Sequence, residues 1–329
     1  MTLWKRRIAA TATALLCLGA AGQAAAQEKF TYLTNWFAQA EHGGFYQALA
    51  DGSYKAAGLD VTIRMGGPQV NIMQIMAAGQ ADCIMGYDVE TMKVHERGIR
   101  AVTVAASFQK DPQVLIAHPN VTKMEDLKGK TILVSSAGMT TYWPWLKAKY
   151  GLTDSQVRPY TFNIQPFVAD KNVVQQGYLS SEPFAIETTA GFKPSVFLMS
   201  DFGWPPYSTT ITCMEKTIRE RPQAVAAFVK ASMEGWKKYL TGDPSAANAL
   251  IKKDNPNMTD AKIANAIALL KSTGMVFGGD AATKGVGIIT EARMKATFDM
   301  LVANQLIDPK VDFKATFTDQ FVKDLKVMP

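Results

Sequence analysis

Aromatic faces and hydrogen-bond acceptors dominate the chemistry that this chain offers at its loops. Trp36, Tyr87, Trp143, Trp204 and Tyr207 fall at loops or at the ends of expected elements, and Asn35, Asp88 and Glu182 add side-chain oxygens. Such faces can cover a flat guest, because an offset aromatic pair adds about 0.5–1.5 kcal/mol beyond the apolar area it buries. A ring nitrogen or amine in that guest then needs a placed acceptor, since a buried polar group left unpaired costs about 1–3 kcal/mol. Structural uses compete at several of these positions. Asp88 can cap the helix expected from Glu90, and of Trp143 and Trp145, which flank Pro144, one belongs in a core. Trp236 sits mid-helix at a core-like position, and Tyr178 suits packing or cleft lining equally.

Weaker candidates surround these. Gly66-Gly67-Pro68 has tight-turn residues that let backbone amides, Gly67 included, point at a ligand or simply reverse the chain. No Lys-Ser or Lys-Thr follows, so it is not a phosphate-cradling loop. Ser135, Ser136, Thr140 and Thr141 lie between an expected strand and helix, where amides can hold an anion or carbonyl oxygen and hydroxyls can cap. His42 opens the first expected helix and either orients the Trp36 loop or serves as a cap. No CxxC, HExxH or paired-histidine spacing occurs, and no nucleophile motif accompanies His42, His95 or His118. We therefore expect no metal, no cofactor and no catalytic residue. Cys83 and Cys213, in the apolar runs ADCIMG and TTITCME, read as buried small hydrophobes, with a bridge between them as the alternative.

The elements that must position these residues alternate. FTYLTNW, LDVTIRM, ADCIMGY, AVTVAASF and QVLIAHP read as strands, separated by helices in HGGFYQALADGSYKAAG, NIMQIMAAG and ETMKVHERG. A second α/β unit begins near Val121, with TILVSS and VRPYTFN as strands, AGMTTYWPWLKAKYG as a helix, and YLSSEPFAIETT, SVFLMSD and STTITCMEK as strand-like pieces. After Glu215, four stretches from Arg221 to Ile307 show helical periodicity with no strands among them. The economical arrangement packs this helix-rich tail on the first unit. Residues 27–118 and 206–329 then form one discontinuous lobe and 119–205 the other, joined by linkers near 106–120 and 198–208. In such sheets the loops after the strands' carboxyl ends make the ligand-facing rim.

The amino-terminal stretch has the layout of a cleavable export signal: Lys5, Arg6 and Arg7, an apolar run from Ile8 to Leu18, and small residues ending at Ala26, after which cleavage is expected. Leu16 before Cys17 argues against lipid attachment, so a free periplasmic protein is expected. Losing those three cations reduces the formal charge of +6 to near +3, which offers no basic field for nucleic acid. About 300 residues remain, enough for two cores.

In order and spacing, the Trp-led loop, the helix opening at His42-Gly43-Gly44, the run GSYKAAGLDV, the Gly-Gly-Pro loop, AAGQAD and LKGK resemble the thiamine pyrimidine-precursor-binding and SsuA-like periplasmic solute-binding proteins of ABC importers. The resemblance spans nearly the whole mature chain. It implies an α/β, two-lobed periplasmic binding protein fold of type II with the ligand cleft between hinged lobes. It also implies a monomeric binding protein without catalysis, a small-molecule ligand and an inner-membrane ABC permease as partner. Trp36 beside Asn35 matches the family's loop after the first strand, and Glu182 in SSEPF matches a carboxylate that meets the heterocycle.

Two alternatives stand beside this. The fungal pyrimidine synthases of the same family use a CCCFC-like segment and a reactive histidine, where this chain has STTITCMEK and, at Glu90, an acid. A carrier of alkanesulfonate, nitrate or taurine would draw Arg or Lys into the cleft, and the expected rim loops are short of both.

Overall fold

The structure, a computed structural model, describes residues 26–329; the expected signal segment from Lys5 to Leu18 lies outside them. Ten strands occur among the described residues: β1 (Glu28–Leu33), β2 (Leu59–Arg64), β3 (Cys83–Gly86), β4 (Ala101–Phe108), β5 (Gln113–Ala117), β6 (Thr131–Val134), β7 (Val157–Pro159), β8 (Val173–Tyr178), β9 (Ser195–Leu198) and β10 (Ser208–Met214). They form two sheets, ordered β2-β1-β3-β10-β4 and β7-β6-β8-β5-β9. In each, three strands run parallel through helical crossovers, and the strands next to the linkers run antiparallel.

Strand pairing moves the expected crossing. Gln113–Ala117 pairs with β8 and β9, so the chain leaves the first sheet between Phe108 and Gln113 rather than after His118. It returns between Leu198 and Ser208. A second correction concerns YLSSEPFAIETT. Only Tyr178 ends a strand, and Glu182–Ala190 is a helix with Pro183 in its first turn and left-handed Gly191 (φ 73°) at its end. Those are ordinary helix start and stop signals, and apolar content obscured them.

The tail packs on the first lobe as expected. The helix Pro222–Thr241 lies against Gly43–Ala50, where a Cβ on Gly43 would meet the Tyr239 ring at 2.0 Å and one on Gly44 the Trp236 ring at 2.2 Å. The paired glycines of the motif therefore permit a close helix approach. Trp236 is core, edge-on to Phe45 and Phe108. Cys83 and Cys213 face one another across β3 and β10, with Cα atoms 4.2 Å apart, and are joined in a disulfide. This corrects the reading of two separate buried thiols: a close cross-strand pair of this kind brings side chains together.

Candidate ligand-binding site

Between the two sheets lies a cavity of about 40 Å³, several times the roughly 10–15 Å³ that one water requires. The first lobe reaches it with Asn35, Trp36 and Gln39 after β1 and with Tyr87 after β3, the rim positions that strand polarity dictates. The second lobe supplies Gln113 from β5, Gln176 and Tyr178 from β8, Glu182, and the short helix Ser136–Thr140 with flanking Ser135, Thr141 and Tyr142. No Lys or Arg lines it among the described residues.

The lobes are shut. The Tyr87 and Tyr178 hydroxyls meet across the cavity at 2.5 Å; one donates to the other, and the second proton is left for a further acceptor. Pro68 accepts from the Ser136 amide at 2.9 Å, the Ser136 hydroxyl donates to Gln69 at 2.8 Å, and Lys93 donates to the Thr140 carbonyl at 2.8 Å. Aromatic rings close another part of the seam: Trp36 lies nearly parallel to Tyr160 (11°, centroids 6.1 Å apart) and edge-on to Phe162 at 5.8 Å. Phe162 has left-handed backbone (φ 62°), a conformation costing a bulky residue about 1–3 kcal/mol. Its ring packs against both Trp36 and Phe37.

Glu182 is almost fully buried at the start of its helix. One oxygen accepts from the Tyr160 hydroxyl (2.9 Å) and the other from the Tyr178 amide (2.8 Å). Burial raises its pKa, and these hydrogen bonds oppose the rise. Glu182 thus faces the cavity from a fixed position, with remaining lone pairs as acceptors. Glu41 is buried on the other side of the seam, where the Ser180 hydroxyl donates to one carboxyl oxygen while the second has no partner among the described residues. Burial pushes Glu41 up to about 7. Glu90 and Asp111 are likewise pushed up to about 7 by burial, so the interlobe region is rich in acids.

Of the residues expected at the site, Asn35, Trp36, Tyr87 and Glu182 line the cavity, as do Ser135, Thr141 and Tyr178 among the weaker candidates, and the rest do not. Asp88 is enclosed in the first lobe, accepting from the Tyr207 amide (3.2 Å), the Thr297 hydroxyl (2.9 Å) and the Val89 amide (2.8 Å). Burial pushes it up to about 6. Tyr207 is held beneath the Arg293 guanidinium at 4.4 Å. The indole N–H of Trp204 is spent on Asp111 (2.8 Å) and that of Trp143 on Asp154 (2.7 Å), which makes both tryptophans packing residues. His42 is buried, and burial lowers its pKa to about 3. Gly67 packs beneath the Phe37 ring, while Ser136 and Thr140 serve the seam. Sequence reasoning missed Gln39, Gln113 and Gln176. Gln113 and Gln176 share a strand face with Leu115 and Val174, and a polar residue at such core-facing positions was the available signal.

The family model described as NMT1/THI5 like matches residues 39–247, well over half of the chain. The chain belongs to this family. The NMT1/THI5-like segment takes in the Gly-Gly helix start, both linkers and the whole second lobe. A formylaminopyrimidine-binding protein of Halalkalibacterium halodurans is 21% identical over 235 residues, covering 69% of this chain and 71% of that one. The alkanesulfonate-binding protein SsuA of Xanthomonas axonopodis pv. citri, solved with MOPS, superposes with a TM-score of 0.64 at 13% identity over 90% of this chain and all of that one. The desulfurization enzyme DSZB superposes with a TM-score of 0.54 at 14% identity, covering 91% and 98% of the two chains. The architecture is thus the two-lobed fold of periplasmic binding proteins, a frame that hosts binding and catalysis alike.

Proposed function

We propose that this chain is the substrate-binding component of an ABC importer, capturing a small, flat nitrogen heterocycle in the periplasm and delivering it unaltered. The observation that carries this is the composition of the cavity: two aromatic residues of the first lobe oppose amides and a buried carboxylate of the second, with no cation among the lining residues. An alkanesulfonate or nitrate would leave its charge beside Glu182 with no Arg or Lys to pair it. A ring whose nitrogen or amine meets Glu182, or the spare Tyr87–Tyr178 hydroxyl proton, satisfies both partners. The pyrimidine bound by the Halalkalibacterium relative supports the same ligand class.

The mechanism is closure around the guest. Parted lobes expose the rim, the ring docks on Trp36, and Tyr178 and Glu182 close over it. Only contacts made in the shut state favour closing, and the seam is built of such contacts. The shut pair of lobes is the form a permease would read. The Cys83–Cys213 bridge suits an oxidising compartment, in keeping with the signal-like amino terminus.

A thermal-shift screen of the purified mature chain against pyrimidines, flavins, purines, taurine and hexanesulfonate tests the ligand class, followed by calorimetry and mass spectrometry of the recovered ligand. Stabilisation by an unaltered nitrogen heterocycle is expected. Stabilisation by a sulfonate alone, or recovery of an altered ring, overturns the reading. Fractionation checks location, with a mature chain beginning at Gln27 in the periplasmic fraction expected.

A further inference from the structure

Two glutamines of the second lobe present opposite hydrogen-bonding polarity to the cavity. Oε1 of Gln176 accepts from the Ser135 amide at 2.6 Å and from the Tyr142 hydroxyl at 2.7 Å. A backbone N–H can only donate, so the atom it meets must be the amide oxygen, and the orientation of this side chain is settled by its neighbours. Nε2 of Gln176 is left as a donor without a protein acceptor among the described residues, and it is not sealed from the cavity. Gln113 is fixed in the opposite sense. Its Nε2 donates to the Gly177 carbonyl at 2.9 Å and more distantly to that of Val114 at 3.3 Å. A carbonyl can only accept, so Oε1 of Gln113 is the free atom, an acceptor without a protein donor among the described residues and, like Nε2 of Gln176, not sealed from the cavity.

Strand register brings the two together. Gln113 stands opposite Tyr178 and Gln176 opposite Leu115 on antiparallel β5 and β8, which makes the glutamines diagonal neighbours on one face. They are only 4% and 6% exposed, so a guest that leaves either atom unpaired bears a desolvation cost.

We propose that Gln113 and Gln176 are the specificity-determining pair of this cavity, accepting a hydrogen bond from an amino group and donating one to a ring nitrogen on the same guest. This deepens the heterocycle reading and rests on it. The ligand class narrows to aminated nitrogen heterocycles, as distinct from rings that carry acceptors alone.

The test uses two rings of nearly equal shape, 4-amino-2-methylpyrimidine and 2,4-dimethylpyrimidine, titrated calorimetrically at pH 8. The parent should bind the aminated ring 10-fold or more tightly. Gln113→Met should collapse that preference to less than about threefold, and its retained binding of the dimethylated ring guards against a Met variant that fails to fold. Gln176→Glu keeps the oxygen that Ser135 and Tyr142 need but replaces the donor with an acceptor. It should weaken both rings 10-fold or more and leave their ratio unchanged. Equal binding of the two rings by the parent, or a preference that survives Gln113→Met, overturns the pair while the heterocycle reading stands. Failure of both rings to bind the parent overturns both readings.

Discussion

The first lobe meets the cavity with an aromatic loop, and the second meets it with side chains already committed to hydrogen bonds. Trp36 and Tyr87 follow strand ends, and Trp36 meets the Tyr160 and Phe162 rings across the seam. Gln113, Gln176 and Glu182 are each tied to a backbone group of their own lobe. Aromatic faces accept many flat guests, whereas fixed amides and carboxylates choose among them. The lobes also differ in what holds them: the first sheet is bridged between β3 and β10, and the second relies on packing and hydrogen bonds. Affinity and selectivity should therefore separate between the lobes.

The largest expected effect is on stability. Replacing Cys83 and Cys213 by serine removes a bridge spanning 130 residues. This should cost about 2–5 kcal/mol and lower the melting temperature by on the order of 5–10 °C. Calorimetric affinity should change less than about threefold, because the bridge lies outside the cavity lining. An affinity loss in step with the melting temperature would show that the first wall is not independent of its sheet. Glu182→Ala comes next. It frees the Tyr160 hydroxyl and the Tyr178 amide as well as removing an acceptor from the guest, so affinity should fall 10-fold or more, with a few degrees lost in melting. Unchanged affinity would remove Glu182 from recognition. Trp36→Ala should weaken binding by roughly 3–10-fold, near the worth of one aromatic contact, with little change in the melting of the unliganded protein. It should also diminish the ligand-induced change in fluorescence; a variant that matches the parent in both would transfer recognition wholly to the second lobe.

The alternation of strands and helices was legible because it rests on periodicity, and the limits of β2, β4 and the helix Pro222–Thr241 fall within a residue of those expected. The aromatic rim was legible in part. Trp36 and Tyr87 are at the cavity because they follow strand carboxyl ends, whereas Trp143 and Trp204 follow no such rule and their indole N–H groups found acids instead, exposed Asp154 and buried Asp111. Asp88 stands one residue after Tyr87 yet points into its own lobe, toward Tyr207 and a helix more than 200 residues away. Only tertiary packing decides that direction. The glutamine pair was hidden for the same reason: an amide's free atom depends on which backbone group its other atom has met.

The smallest effect sharpens the seam itself. Glu41 belongs to the first lobe, its hydroxyl donor Ser180 to the second, and its other oxygen has no partner among the described residues. The titratable groups that face it are Glu182, Tyr178 and Tyr239, with His42 adjacent and held neutral by burial. None supplies a positive charge, so in the shut state burial holds Glu41 up to about 7 against an ordinary value of 4.5. Parting the lobes removes Ser180 and admits water, which returns the carboxyl toward that ordinary value. Between these two values the shut form binds more protons than the open one, so closure, and ligand affinity with it, strengthens as pH falls from 7 toward 4.5 and levels off outside that window. Glu90, which accepts from Thr140 across the same seam and is pushed up to about 7, acts in the same direction. Glu41→Gln should therefore reduce the pH dependence without abolishing it. Calorimetry at pH 5, 6, 7 and 8 should give the parent a steeper decline than the variant, roughly twofold in slope where Glu90 contributes equally, and the ligand's own titration cancels in that comparison. Identical slopes would mean that Glu41 stays buried when the lobes part, so that the seam closes elsewhere.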